Sequence, residues 1–295
     1  MLYVHYARKN MENIYKETMF ILKKYNIAAS KSLGQNFLID DNVVEKIVNS
    51  AEIDKEDLII EIGPGLGTLT KEMLDKAKKV IAVELDKRML QILNDRFKLY
   101  NNFEVINEDI LKVNLNKIIE REKKAQNIKN VKVVANLPYY ITTPIIMKLL
   151  EDNLDIKTIT VMVQKEVAKR LTANPGKSKD SGAITYSVNY YCEAQEVVTV
   201  PNTSFIPEPE VESEVIKLTL RNKPPIEVED KELFFKLIKL SFMQRRKTLI
   251  NGISNGNLMD KDKFRQVLNK IGLPENVRGE NLTMQDFANI AKELQ

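Results

Sequence analysis

Short apolar runs alternate with segments of helical periodicity through the middle of the chain. The runs are rich in Val and Ile, and each is followed by residues whose apolar positions recur every three or four places. This alternation is typical of βαβ units, which build a parallel sheet covered by helices. We predict strands of this kind at residues 57–62, 78–86, 102–109, 131–136 and 156–164.

Two later runs complete the predicted sheet. Residues 194–200 and 211–220 form a terminal strand pair, separated by a Pro-rich loop at 201–210. A helix is expected just before them, at 183–193. The sequence therefore predicts an α/β fold with a mostly parallel seven-stranded sheet flanked by helices.

Both ends of the chain differ from this central pattern. Residues 11–25 have loosely helical apolar spacing, whereas two prolines and mixed charges interrupt the alternation at 221–230. Everything beyond that interruption is helical in character. We therefore predict an N-terminal helical extension (1–30), a ligand-binding α/β domain (31–222) and a small all-α C-terminal domain (223–295).

Composition narrows the chemistry. The 295 residues include one Cys, Cys192, and one His, His5, and the net charge is +4. An internal disulfide and a cysteine-based metal cluster are excluded, and a His-dependent base or zinc site is disfavoured. No apolar run approaches the roughly 18 residues of a membrane span. We expect a cytoplasmic protein with no metal and no membrane partner.

Three glycines follow the first predicted strand in the motif Glu61-x-Gly63-x-Gly65-x-Gly67. Glycine is needed where the backbone approaches a ligand closely or takes a positive φ. The spacing is not the G-x-G-x-x-G of the usual dinucleotide loop. It fits either a nucleotide-like cofactor or a tight strand-to-helix turn without a ligand, and we favour the cofactor.

Acidic residues end the second and third predicted strands. Glu84 lies about 20 positions beyond the glycine loop, where a carboxylate can bind two vicinal ribose hydroxyls. Asp109 can accept a hydrogen bond from the exocyclic amine of an adenine. Both also suit a helix start, Glu84 as an acid near the N-terminus and Asp109 as an N-cap. Together with the glycine loop, Glu84 favours the ribose role.

The motif Asn136-Leu137-Pro138-Tyr139 follows the fourth predicted strand and so lies at the same sheet edge as the features above. The Asn136 amide oxygen and the Leu137 carbonyl can accept both hydrogens of an amino group, while Tyr139 can stack on a flat ring. Two acceptors favour a pyramidal nitrogen with its lone pair aimed at an electrophile. Such positioning contributes at most about 7–11 kcal/mol. An Asn-Pro turn without a ligand is the alternative for this motif alone.

Taken together, these motifs resemble those of class I S-adenosylmethionine-dependent methyltransferases of the adenine-N6 type. Further segments resemble the KsgA-type dimethyltransferases of small-subunit rRNA: "KSLGQNFLID", "NLPYYITTPII", "MVQKEVAKRL", "PNTSFIPEPEVESEVIKL", "FMQRRKT" and "RGENLT". The resemblance extends from about Lys31 to the C-terminus. It implies a Rossmann-like fold, S-adenosylmethionine as methyl donor, and N6,N6-dimethylation of two adjacent adenines in the 3′-terminal hairpin of 16S rRNA. The enzyme would be a monomer that acts on the 30S particle during ribosome biogenesis.

The resemblance also implies roles for individual residues. Those matching the donor contacts are Asn36, Leu38, Gly63, Gly65, Glu84, Asp109 and Asn136. Those matching the catalytic motif are Asn136, Leu137 and Tyr139. Tyr139 and Phe205 would sandwich the extruded adenine, at about 1–3 kcal/mol per stacked base. The adenine N6 would then attack the methyl group in line and lose its proton afterwards to water.

A basic cluster favours contact with RNA. Arg245, Arg246 and Lys247 concentrate positive charge on a predicted helix, where they would bind phosphates. A solvated helical face is the alternative. One position departs from the family pattern, because Ser181 stands where many members have Tyr. RNA contacts near Ser181 are therefore in doubt.

Other functions share parts of the pattern. DNA adenine and protein glutamine methyltransferases have related Asn-Pro-Pro-Tyr motifs, but the "LGQNFL" segment and the basic helical end disfavour both. Antibiotic-resistance methyltransferases of large-subunit rRNA share the fold and motif, whereas "NLPYYITTP" and "PEPEVES" favour the small-subunit type. A non-enzymatic nucleic-acid binder is disfavoured because the glycine loop, Glu84, Asp109 and Asn136 are all intact.

Overall fold

The computed structural model describes residues 13–295, so His5 and the first part of the predicted extension lie outside the described residues. Its α-helices are α1 (Ile14–Lys24), α2 (Asp41–Ser50), α3 (Thr68–Leu74), α4 (Lys87–Phe97), α5 (Leu115–Ala125), α6 (Thr142–Glu151), α7 (Lys165–Thr172), α8 (Ala183–Tyr191), α9 (Lys231–Met243), α10 (Leu249–Asn255), α11 (Lys261–Lys270) and α12 (Met284–Glu293). Its strands are β1 (Phe37–Leu38), β2 (Asp57–Ile62), β3 (Lys79–Glu84), β4 (Phe103–Asn107), β5 (Asn130–Asn136), β6 (Thr158–Gln164), β7 (Cys192–Val200), β8 (Phe205–Ile206) and β9 (Ser213–Leu220).

Seven strands form one sheet in the order β4-β3-β2-β5-β6-β9-β7. The pairs β3–β4, β2–β3, β2–β5 and β5–β6 are parallel, and β9 runs antiparallel to β6. The predicted seven-stranded, mostly parallel sheet is confirmed. Helix α5, which the sequence pattern did not single out, lies in the chain between β4 and β5.

The sheet positions the strand ends that matter for function. All six residues of β2 are buried, as expected for a central parallel strand covered on both faces. Ile60 pairs with Ile81 of β3 and with Val133 of β5. This register aligns the carboxyl ends of the three strands at one edge, where open α/β sheets bind ligands.

A second, two-stranded sheet was not predicted. β8 lies inside the segment expected to be a Pro-rich loop, and it pairs antiparallel with β1. Phe37 is opposite Ile206, and Leu38 is opposite Phe205. The pairing joins segments far apart in the chain, so local sequence could not reveal it.

The described chain divides into two compact units. The first comprises the described residues up to Ala168 together with Gln195–Leu220, and the second comprises Lys169–Ala194 and Arg221–Gln295. This division differs from the prediction, which assigned all of 31–222 to one domain. Among residues 13–295, no helix is both long enough and apolar enough to cross a membrane.

Aromatic packing explains why Lys169–Ala194 belongs to the second unit. Tyr186 of α8 is fully buried, and its ring meets Phe287 of α12 edge-on, with the centroids 5.2 Å apart. Its hydroxyl donates to the Gly279 carbonyl at 3.1 Å. Helix α8 therefore forms part of the core of the helical unit. It also ends earlier than predicted, because Cys192 already begins β7.

Candidate active site

A cavity lies at the carboxyl-terminal edge of the sheet in the first unit. Loops that follow β2, β3, β4 and β5 line it, together with the segment around β1. The residues predicted to bind the donor or to form the catalytic motif all line this cavity, namely Asn36, Leu38, Gly63, Gly65, Glu84, Asp109, Asn136, Leu137 and Tyr139. The fold thus brings together residues that are distant in the chain, such as Asn36 and Asn136, which are 100 positions apart.

The glycine loop is held in a conformation that few other residues could adopt. Gly65 and Gly67 have φ of 56° and 82°, in the left-handed region. A Cβ on Gly67 would come within 2.6 Å of the Phe97 ring. The Gly63 N–H donates to the Val83 carbonyl at 2.9 Å, which ties the loop to β3. Any larger side chain at Gly67 would therefore clash with the Phe97 ring and be strained by the positive φ.

Glu84 at the end of β3 fixes the loop from the other side. One of its carboxylate oxygens accepts from the Gly65 N–H at 3.1 Å, and the other accepts from the Asp86 N–H at 2.7 Å. The side chain is only 6% exposed, and this burial raises the pKa of Glu84. Each carboxylate oxygen has further lone pairs, so both can still accept from a ligand hydroxyl.

Asp109 combines a local and an outward-facing role. One carboxylate oxygen accepts from the Leu111 N–H at 3.0 Å, and the backbone carbonyl accepts from the Lys112 and Val113 N–H groups. This caps a turn, since the next helix begins only at Leu115. The side chain is half-buried and lines the cavity, which leaves acceptor capacity for a ligand.

Two residues that carry hydrogen-bond acceptors, Asn136 and Leu137, line the cavity after β5. The Asn136 Nδ2 donates to the Asn36 carbonyl at 3.1 Å, which fixes the orientation of the amide. The Leu137 N–H donates to the Met162 carbonyl at 3.1 Å, and the Leu137 side chain is buried. Within residues 13–295, no donor contacts the Asn136 Oδ1 or the Leu137 carbonyl oxygen. Both oxygens are therefore available to a ligand amine.

Tyr139 is held by its hydroxyl, which lies 2.6 Å from the Ser213 Oγ. The ring is half-buried, and burial raises the pKa of its phenol, so the side chain is neutral near pH 7. Its neighbour Tyr140 is 55% exposed and also lines the cavity. A neutral aromatic ring at this position can stack on a planar ligand.

Phe205 does not lie in the cavity. Its side chain is 1% exposed and belongs to the apolar core, in the β-pairing with Leu38. The predicted stacking of a target base on Phe205 is therefore not supported, because no face of the ring is open to a ligand. Leu38 is itself 3% exposed, but it contributes to the cavity wall.

The sequence analysis did not assign a role to Glu61, although this residue also lines the cavity. It is 1% exposed, and its Oε2 accepts from the Thr70 hydroxyl at 2.5 Å. Burial raises the pKa of Glu61 to about 8, and the nearby Glu84 carboxylate adds to the shift. An acid inside the apolar stretch "LIIEI" was the signal that could have identified it.

The basic cluster lies in the second unit and is not helical. Helix α9 ends at Met243, so Arg245, Arg246 and Lys247 lie in the turn before α10. All three are exposed. The prediction that these three residues lie on a helix is wrong. The apolar periodicity of α9 does not indicate the residue at which that helix ends.

Arg245 is already engaged within its own unit. It donates to the carbonyls of Lys179 and Ser181, each at 3.0 Å. For Arg246 and Lys247 no side-chain partner is found in residues 13–295. Ser181 is fully buried and its hydroxyl donates to the Asn174 carbonyl at 3.2 Å, so it presents no side chain to an RNA.

The comparisons with known proteins point to one family. The profile of the family described as "Ribosomal RNA adenine dimethylase" matches residues 26–295. A protein of Alkaliphilus oremlandii named "Ribosomal RNA small subunit methyltransferase A" is 48% identical over 280 residues, which cover 95% of this chain and 96% of that protein. One of the same name from a Geobacillus species is 49% identical over 282 residues, covering 94% and 96%.

Solved structures agree with these sequence matches. A dimethyladenosine transferase from Plasmodium falciparum superposes with a TM-score of 0.70 at 28% identity, covering 87% of this chain and 96% of that one. The 23S rRNA methyltransferase ErmE superposes with a TM-score of 0.64 at 24% identity, covering 88% and 99%, and shows the shared fold alone. The fold, the motif-lined cavity and these similarities together show that the chain belongs to the ribosomal RNA adenine dimethylase family.

Proposed function

We propose that this protein transfers methyl groups from S-adenosylmethionine to the N6 atoms of two adjacent adenines in the 3′-terminal hairpin of small-subunit (16S) rRNA, two groups to each. The observation that supports this most directly is the pair of unoccupied acceptors, the Asn136 Oδ1 and the Leu137 carbonyl, in the same cavity as Glu84 and the glycine loop.

The hydrogen-bond acceptors that line the cavity suit an adenosyl compound. Glu84 offers carboxylate oxygens to ribose hydroxyls, and Asp109 offers one to an exocyclic adenine amine. The glycine loop leaves room for the methionine part, since a Cβ on Gly63 would find its nearest neighbour only at 4.0 Å. Asn36 and Leu38 complete the wall on the β1 side. When bound, the donor supplies an electrophilic methyl group on a positively charged sulfonium.

The protein's own contribution to the chemistry is positional. An adenine amine is a weak nucleophile because its lone pair is delocalised into the ring. The Asn136 and Leu137 oxygens would accept its two hydrogens and favour a pyramidal nitrogen whose lone pair points away from them. Tyr139 would hold the base by stacking, with its hydroxyl fixed on Ser213. The surplus proton would leave to water after the transfer, because no histidine is among the described residues that line the cavity.

RNA contact is proposed for the basic turn in the second unit. Arg246 and Lys247 are exposed and their side chains have no partner in the described part of the chain. Their charges would bind phosphates independently of sequence. Recognition of the hairpin would come from its shape and from bases turned out of the stack, as is usual for RNA. We further propose a cytoplasmic monomer that acts on the 30S particle and needs no metal.

Methyl transfer to ribosomal subunits tests the proposal. Purified protein, tritiated S-adenosylmethionine and small subunits lacking the modification are incubated together, with large subunits as the control substrate. We expect label in small-subunit rRNA only, and mass mapping should assign it to two adjacent dimethylated adenines. Label in large-subunit rRNA would favour the resistance-type activity instead. Tight binding to subunits without any transfer would overturn the proposal in favour of an RNA-binding protein.

A further inference from the structure

We propose that helix α1 positions the methyl-donor loop, through an ion pair between Glu17 and Arg96 and the contact of Arg96 with the Leu66 carbonyl. This inference rests on the proposed function, because it treats the glycine loop as the donor site. Helix α1 lies ahead of residue 26, where the match to the family profile begins, so that profile assigns it no role.

Glu17 connects α1 to α3, the helix that follows β2, and to α4, the helix that follows β3. One oxygen lies 2.7 Å from the Arg96 Nη2, and the other lies 2.7 Å from the Lys71 Nζ. Lys71 is on α3, directly after the glycine loop, and Arg96 is on α4, after β3. Burial works to raise the pKa of Glu17, but Arg96 and Lys71 outweigh it and hold that pKa below its usual range. Glu17 is therefore ionised at neutral pH.

Of these three residues, Arg96 is the only one whose side chain is found to hydrogen-bond to the glycine loop in the described chain. Lys71 reaches the loop through its backbone N–H, which donates to the Gly67 carbonyl at 3.2 Å and does not depend on its side chain. Arg96 donates through its Nη1 to the carbonyl of Leu66, between Gly65 and Gly67. Its guanidinium carbon also lies 5.3 Å from the centre of the Phe97 ring, which packs beneath Gly67. The side chains of Arg96 and Glu17 are 13% and 16% exposed. A guanidinium this buried needs a counter-charge, and Glu17 supplies it.

The ion pair is separable from the attachment of α1. Ile21 is 5% exposed and packs in the core, Tyr25 donates to Asp95 at 2.9 Å, and the Asn13 side chain caps the helix. These contacts do not involve Glu17. A substitution that removes only its charge should therefore leave α1 docked while releasing Arg96 from its fixed position. The Leu66 carbonyl would then lose its donor, and the loop would sample more conformations.

Donor-site affinity tests the inference, with S-adenosylhomocysteine as the probe in isothermal titration calorimetry. We expect Glu17→Gln and Arg96→Lys each to weaken binding about tenfold, because a loop that is not preorganised loses part of its binding energy. The combined variant should be little worse than either alone, since both break one contact chain. Lys71→Met is the matched control: it removes the other ion pair of Glu17 but no contact to Leu66, so its affinity should stay within about twofold.

Thermal unfolding and hydrogen exchange separate positioning from mere stability. A purely structural role predicts a lower melting temperature in Glu17→Gln and Lys71→Met alike, with unchanged affinity. Positioning predicts faster exchange at the Leu66–Thr68 amides in Glu17→Gln and Arg96→Lys only. Wild-type affinity in both folded variants would overturn the inference and leave the proposed function intact. Failure of the wild-type protein to bind the probe at all would instead overturn the proposed function.

Discussion

The cavity in the first unit and the basic turn in the second differ in how their polar groups are held. Glu61 and Glu84 are 1% and 6% exposed, and each is fixed by hydrogen bonds from a hydroxyl or from backbone N–H groups. Arg246 and Lys247 are exposed, and their side chains have no partner in the chain described. In the cavity, binding depends on the exact position of each polar group, so loss of a single group should remove an interaction. In the turn, binding depends on positive charge, so substitutions should weaken RNA binding in a graded and salt-sensitive way.

We expect the largest effect on activity from a substitution of Asn136 in the cavity. Asn136→Ala removes one of the two amine acceptors and the contact with the Asn36 carbonyl. Loss of one oriented group in an active site typically costs about 10²–10³ in kcat, and we expect a loss of that size. Donor affinity should fall far less, because Glu84 and the glycine loop remain. Single-turnover methyl transfer at saturating donor measures the first quantity, and calorimetry measures the second. Activity near that of the wild type would contradict the positional mechanism.

The basic turn should respond in a graded way. Arg246→Glu with Lys247→Glu should weaken RNA-hairpin binding about tenfold at low salt, and it should reduce the slope of log K against log salt by about 1.4 to 1.8. Arg245→Glu is the control. Unlike the double variant, it breaks hydrogen bonds within the protein, to the Lys179 and Ser181 carbonyls, and should therefore lower the melting temperature. Filter binding over a salt series measures the slope. An unchanged slope in the double variant would remove the turn from the RNA interface.

The smallest expected effect is on the pH dependence of stability, and it comes from the buried carboxyl group of Glu61. The pKa of Glu61 is near 4.5 in the unfolded chain and is raised to about 8 in the fold. The folded state therefore binds more protons between these values, and the stability of the unliganded protein should fall as pH rises from about 4.5 to about 8. Glu61→Gln cannot ionise and should flatten this dependence.

Thermal unfolding of both proteins at several pH values across that window measures the difference. We expect the wild-type melting temperature to drop by a few degrees more than that of Glu61→Gln, since about 1 kcal/mol shifts it by roughly 2–4 °C at this size. Parallel pH curves would show that Glu61 is already ionised in the fold. Substitutions in the exposed turn should leave the pH curve unchanged, which would sharpen the contrast between the two regions.

The sequence predicted the sheet and most of the site because both follow local rules. Apolar runs such as 57–62 identify buried strands, and parallel strands must place their carboxyl ends on one edge. The residues after those ends, Gly63, Glu84, Asp109 and Asn136, therefore had to lie near one another, and all of them line one cavity.

Other features depended on partners distant in the chain. Phe205 has the exposed-looking setting of a Pro-rich loop, yet pairing with Leu38 buries it. Residues 169–194 precede the expected boundary, yet aromatic packing of Tyr186 with Phe287 includes them in the helical unit. No local pattern specifies which of many apolar residues will meet.

What the sequence alone determined is the chemistry available to this protein and the succession of the main-sheet strands along the chain, because residue type and short-range periodicity are local properties. Tertiary structure decided the rest: that α9 ends before the basic turn, that Glu61 is an acid held at high pKa, and that Glu17 meets Arg96 across 79 positions. These outcomes depend on burial and on contacts between distant residues, which exist only once the chain has folded.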